Sequence, residues 1–112
     1  VLVHAVRTAD ELSYRERIQA CLQQHPEQLQ YIPFVSREQA DFAIRGRVPA
    51  AIESGELERR AGLNIGADNS QVMICGNPAM VHDTVEVLQA RGLKKNRRRE
   101  PGHITTEQYW KT

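Results

Sequence analysis

Residues Gln71–Leu88, QVMICGNPAMVHDTVEVL, decide the fold. Val72, Met73, Ile74 and Cys75 form a continuous apolar run, the pattern of a strand covered on both faces. Gly76 breaks the run where the chain must bend. Asn77 offers a side-chain oxygen to cap a helix, and Pro78 sits at the first helical position, where its missing N–H costs nothing. Val81, Thr84, Val85 and Leu88 follow at i, i+3, i+4 and i+7, one helical face, and Gly92 suits a left-handed residue past the helix end. The stretch therefore predicts a strand, a sharp turn and an amphipathic helix, one unit of an α/β sheet. Its turn lies at the carboxyl end of the strand, where open α/β sheets bind ligands.

Towards the N-terminus, VLVHAV (Val1–Val6) reads as a buried strand ending at Arg7. Thr8 and Glu11 have the spacing of a capping box that opens a helix. Tyr14, Ile18, Cys21 and Leu22 give that helix an apolar side, and His25–Pro26 stops it. Leu29–Val35 predicts a second strand, placed at a sheet edge because Pro33 cannot donate a ladder hydrogen bond. Ser36–Val48 reads as a polar loop, Pro49–Leu57 as a short helix interrupted at Gly55, and Leu63–Asn69 as a connector. Beyond the central helix come a basic run, Lys94–Arg99, a Pro101–Gly102 turn and an aromatic tail, His103–Thr112. This order of elements predicts a doubly wound, largely parallel sheet.

The 112 residues suffice for one small domain, and the net charge of +1 excludes a generally basic nucleic-acid binder. No run approaches the roughly 20 apolar residues of a membrane span, and no basic-then-apolar leader is present. Cys21 and Cys75 read as buried thiols of a reducing compartment, which predicts a cytoplasmic protein. The four histidines, His4, His25, His82 and His103, lack ligand spacing, so no metal site is expected. The chain starts without Met, inside what reads as a core strand, and is expected to be a piece of something longer.

What terminates each strand carries the function. The first predicted strand ends at Arg7, the second at Arg37, and the third at Cys75–Gly76–Asn77, while Arg47 follows Arg37 in a Gly-Arg-Val-Pro turn. Right-handed crossovers would bring these ends to one rim. Arg7, Arg37 and Arg47 would then converge on a dianion through charge-assisted, forked hydrogen bonds. In dinucleotide-binding folds an acid at the second strand end accepts from a ribose 2′-OH, whereas an arginine accommodates a 2′-phosphate. The strand ends here carry arginine, which favours NADP over NAD.

The run MICGNPAMVHDTVEVLQARGL…RREPGHITTEQYW resembles the C-terminal end of bacterial ferredoxin (or flavodoxin)–NADP reductases, as do VLVHAVR, FVSRE and GRVPAAIESGEL in that order. The resemblance covers essentially the whole chain. It implies a partial, Rossmann-like parallel sheet, with residues 1–112 forming the C-terminal portion of an NADP-binding domain. It implies that Arg7, Arg37 and Arg47 hold the adenosine 2′-phosphate and that Cys75 and Gly76, with Asn77 next to them, lie beside the nicotinamide. Tyr109 is implied to cover the flavin of FAD, and Trp110 to sit by its adenine. Hydride transfer needs no nucleophile, so close packing at the nicotinamide is the role expected of Cys75. Family members also carry an FAD-binding barrel and a first strand with a Gly-rich loop. Neither is found in this sequence, so an incomplete, inactive fragment of a reductase is expected, with the rest of the protein and a ferredoxin or flavodoxin as partners.

The competing reading is a non-enzymatic α/β module that binds nucleic acid or an acidic protein through Lys94–Arg99. That run lacks interleaved aromatics and a reading element. On the reductase reading it would steer an acidic electron carrier. Tyr109 and Trp110 have a plainer alternative as core plugs.

Overall fold

Among the described residues every ladder between strands is parallel, so strands paired in one sheet are joined by crossovers rather than by tight turns. The computed structural model describes residues 1–13 and 15–108 and divides the chain into Val1–Gly62 and Leu63–Thr112. The first unit contains β1 (Leu2–Val6), α1 (Arg15–Gln24), β2 (Tyr31–Val35), β3 (Ile44–Arg45), α2 (Val48–Ser54) and α3 (Glu56–Ala61). The second contains β4 (Val72–Gly76), α4 (Pro78–Gln89) and β5 (Ile104–Gln108). Parallel strands in α/β order are the predicted fold class, and they form two sheets, β1-β2-β3 and β4-β5.

In the first unit β2 is the central strand, not the edge that Pro33 had suggested. Residues Leu2–Val6 pair with Tyr31–Val35 on one side, and Phe34–Val35 pair with Ile44–Arg45 on the other. Alternation explains why proline is tolerated. The Ser36 N–H bonds to Val6 and the Gly46 N–H to Val35, so odd-numbered β2 residues face β3. Pro33 faces that side just before the two-residue β3 begins, and no rung is lost. Being central, β2 buries its whole apolar run, and Phe34 and Val35 are inaccessible to solvent. With Leu12, Ile32, Ile44, Ala51, Ile52 and Leu57 they form this unit's core.

Three local expectations change here. Glu11 does reach back to Thr8, accepting from its N–H at 3.1 Å and its hydroxyl at 3.2 Å. The turn so closed is a 3₁₀ turn, Ala9–Glu11, and α1 starts only at Arg15. Tyr14 lies outside the described residues; Ile18 and Leu22 are half-buried, whereas Cys21 is exposed. Ser36–Val48 is not all loop, because Ile44–Arg45 forms β3. The break at Gly55 is as expected: at φ 83° it ends α2 and opens α3.

In the second unit α4 packs on both β4 and β5. Its buried residues include Val81, Thr84, Val85 and Leu88, the face predicted from periodicity. Each of the three aliphatic side chains contributes roughly 1.5–3 kcal/mol through burial. The Thr84 hydroxyl satisfies itself by donating to the Met80 carbonyl at 2.7 Å. Asn77 caps the helix as predicted, its Oδ1 accepting from Met80 N–H at 2.9 Å. β4 is not covered on both faces. Ile74 and Gly76 point inward, whereas Met73 is 86% exposed and Cys75 is exposed too. Both cysteines are therefore surface residues, contrary to expectation, and neither forms a disulfide. The segment read as an aromatic tail, His103–Thr112, contains β5, in register with β4 from Val72↔Ile104 to Gly76↔Gln108.

Candidate functional site

The carboxyl edge of the first sheet gathers the predicted arginines. Arg7 follows β1, Arg37 follows β2 by two residues, and Arg47 follows β3 by two. Backbone hydrogen bonds hold the strand ends side by side: Ser36 N–H to Val6 carbonyl at 3.1 Å, Arg37 N–H to Arg7 carbonyl at 2.9 Å, and Gly46 N–H to Val35 carbonyl at 3.1 Å. Gly46, at φ 124°, supplies the left-handed turn that carries the chain from β3 into α2. Arg47 is the N-cap residue of α2, where its guanidinium, a donor only, makes no cap bond. All three arginines are exposed, and among the described residues no carboxylate pairs with Arg37 or Arg47.

Two carboxylates also stand on this edge. Glu11 pairs with Arg7 at 3.4 Å while holding Thr8, and the Thr8 N–H, then its hydroxyl and Arg7, keep the Glu11 carboxyl below the usual carboxylate range. Glu38 accepts from the Ala9 N–H and so ties the turn after β1 to the turn after β2. Standing beside the second strand end, Glu38 resembles an acid that would accept a ribose 2′-OH; here its carboxylate is engaged with the backbone. The capping-box spacing was the signal for Glu11; nothing local in the sequence signals the contact of Glu38.

Cys75, Gly76 and Asn77 form the turn between β4 and α4 in the second unit. Gly76 has φ 152° and is buried, and a Cβ there would meet the Met80 methyl at 2.5 Å, so the absence of a side chain lets α4 pack closely against this strand end. The Asn77 side chain is committed to the helix cap. Tyr109 and Trp110 lie outside the described residues, directly after β5.

The basic run is exposed throughout, and its Lys94, Lys95 and Arg97 line a cavity of about 400 Å³ together with Gln89, Leu93 and Glu100. Among the described residues one cluster could hold a cation, His82, Asp83 and Glu86, all on the surface of α4 with nothing to exclude water. No helix among the described residues is long and apolar enough to cross a membrane.

Comparison with known proteins shows the family. Residues 1–86 match the oxidoreductase NAD-binding domain family. The chain is 48% identical over 111 residues to the flavodoxin/ferredoxin–NADP reductase of Escherichia coli strain K12, covering 98% of this chain and 45% of that protein. For the enzyme of that name from Buchnera aphidicola of Schizaphis graminum, the figures are 42% identity, 98% and 43%. A ferredoxin NADP⁺ reductase from Neisseria gonorrhoeae, solved with bound FAD and NADP, superposes with a TM-score of 0.87 at 30% identity, over 97% of this chain and 44% of that one. The chain thus spans less than half the length of these relatives. By its matched family model, its parallel α/β strands and these relatives, the chain belongs to the oxidoreductase NAD-binding domain family and is a homologue of the bacterial ferredoxin/flavodoxin–NADP reductases.

Proposed function

We propose that this chain is the C-terminal, NADP(H)-binding portion of a cytoplasmic flavin-dependent reductase that exchanges electrons with ferredoxin or flavodoxin. The observation that carries the reading is the set of Arg7, Arg37 and Arg47 at the ends of three adjacent parallel strands. Three exposed guanidiniums with one opposing ion pair suit a dianionic 2′-phosphate, and Glu38 is already engaged with the backbone. Arg37 and Arg47 bind the phosphate directly, and Arg7 joins them while Glu11 holds its turn. Cys75 and Gly76 pack beside the nicotinamide, and Asn77 fixes the start of α4 at that turn. Tyr109 covers the flavin and Trp110 the adenine of FAD. When bound, FAD supplies the exchange between hydride and single-electron transfer; the chain supplies binding and orientation.

The full-length protein tests this directly. It is expected to carry flavin absorbance and to be reduced by NADPH in strong preference to NADH. A colourless protein, or equal use of both nucleotides, overturns the reading. The alternative of a basic nucleic-acid or acidic-protein module is not favoured, because the family match and the arginine edge both lie outside Lys94–Arg99.

A further inference from the structure

His103 stands where three backbone segments of the second unit meet. Its N–H donates to the Lys94 carbonyl at 2.7 Å, and its carbonyl accepts from the Val72 N–H at 2.8 Å. Its imidazole Nδ1 accepts from the Lys94 N–H at 3.0 Å. The Asn96 N–H donates to the Ile104 carbonyl at 2.8 Å. The start of β5 is thus held by β4 on one side and by Lys94–Asn96, the first residues of the basic run, on the other. Gly102 fits that closeness. A Cβ there would drive into the carbonyls of Lys94 and Lys95, and its N–H donates to Asn96 Oδ1 at 2.9 Å.

A backbone N–H can only donate, so Nδ1 must present a lone pair, and the ring is the neutral tautomer with its proton on Nε2. We propose that His103 is a positioning residue that latches the basic run Lys94–Arg99 onto β5, and that the latch opens when the imidazole takes up a proton. A proton on Nδ1 converts the acceptor into a second donor facing the Lys94 N–H, so bond and proton exclude each other. Imidazole is the side chain that changes charge in the mildly acidic range. The surrounding charges are Arg91 after α4, Lys94, Lys95, Arg97, Arg98 and Arg99 in the run, and Glu100 and Glu107 opposing them; Val72 and Met73 of β4 are uncharged. An imidazolium here joins a cluster of like charge, which drives the run away from β5.

Backbone hydrogen exchange followed by NMR on the full-length protein, at about pH 7.5 and about pH 5.5, tests the latch after correction for intrinsic exchange. Protection at Lys94 and Asn96 is expected to fall about tenfold on acidification, the equivalent of one net hydrogen bond, while Val81–Leu88 stay protected. His103→Asn, whose Oδ1 can accept in place of Nδ1 without titrating, is expected to keep protection at both values. His103→Leu is expected to lose it at both. Long-range ¹H–¹⁵N spectra should show the Nε2–H tautomer at the higher pH. An Nδ1–H tautomer, or the same pH dependence in His103→Asn, overturns the proposal. Should His103→Leu fail to fold, the asparagine variant and the tautomer still decide.

Discussion

Replacing Arg37 or Arg47 by alanine in the full-length protein should weaken NADPH and spare NADH, and the structure ranks the losses. A hydrogen bond to a charged group is worth roughly 1.5–3 kcal/mol, which at about 1.4 kcal/mol per decade is roughly a 10- to 150-fold rise in the NADPH dissociation constant. Neither guanidinium has a carboxylate partner among the described residues, so nothing offsets the loss. Arg7 differs. Its ion pair with Glu11, at 3.4 Å between side chains 63% and 41% exposed, must be shared with the phosphate. An exposed pair of this kind contributes little, so the Arg7→Ala loss should be the smallest of the three. Titration with 2′,5′-ADP and 5′-AMP, followed by steady-state rates with both nucleotides, isolates the phosphate term. Equal losses for the phosphorylated and unphosphorylated ligands would refute the assignment. So would an Arg7→Ala effect larger than that of Arg37→Ala, because it would mean that Glu11 does not compete.

Asn77→Ala should cost about 1 kcal/mol of stability through the lost Met80 cap, read as a lower melting temperature with the NADPH-to-NADH preference unchanged. Glu11 has its carboxyl held below the usual range, so its stabilisation is present above the unperturbed glutamate value of about 4.3 and is lost as pH falls through the lowered one. Melting curves of Glu11→Gln should therefore converge with wild type in acid and diverge towards neutrality; parallel curves throughout would deny the linkage. Residues 1–112 expressed alone should self-associate, because among the described residues β1 and β4 each pair on one side only and Val1, Leu2 and Met73 are exposed. A monodisperse monomer with a cooperative melt would contradict this.

The β4–α4 unit was legible because its signals are local and agree. An apolar run, a glycine, an Asn-Pro start and the helical stripe Val81, Thr84, Val85 and Leu88 all point to a strand, a turn and a helix, and the structure has these elements there. The errors came where a signal depends on neighbours. The rule that puts proline at an edge concerns a missing N–H, and register alone determines whether that N–H would have had a partner; Pro33 sits centrally because β3 spans only two residues. β3 and β5 were missed for a related reason. Ile44–Arg45 is too short for periodicity, and Ile104–Gln108 is polar at four of five positions, so pairing with its neighbour, rather than burial, defines the strand. Cys75 read as buried because a continuous apolar run suggests two covered faces, whereas one helix covers one face and leaves Met73 and Cys75 outside.

The site divides along the same line. That arginines terminate strands can be read from sequence, since strand ends are marked by the loss of apolar residues, and in a parallel sheet all carboxyl ends share an edge. The discovery of β3 strengthens the reading: Arg47 follows a strand that pairs with β2, which turns a loop arginine into a third strand-end arginine. How free each guanidinium is could not be read that way. Glu11 and Glu38 lie respectively four residues after Arg7 and next to Arg37, and by spacing alone either could quench its neighbour. The fold separates them, sending Glu38 to the Ala9 N–H and Glu11 to both Thr8 and Arg7. Two of the three positive charges are thereby left without an opposing partner among the described residues, and the third is restrained by one it can exchange. If this edge holds the 2′-phosphate as proposed, discrimination rests on charge, and varying the ligand's 2′-phosphate together with the arginines tests it.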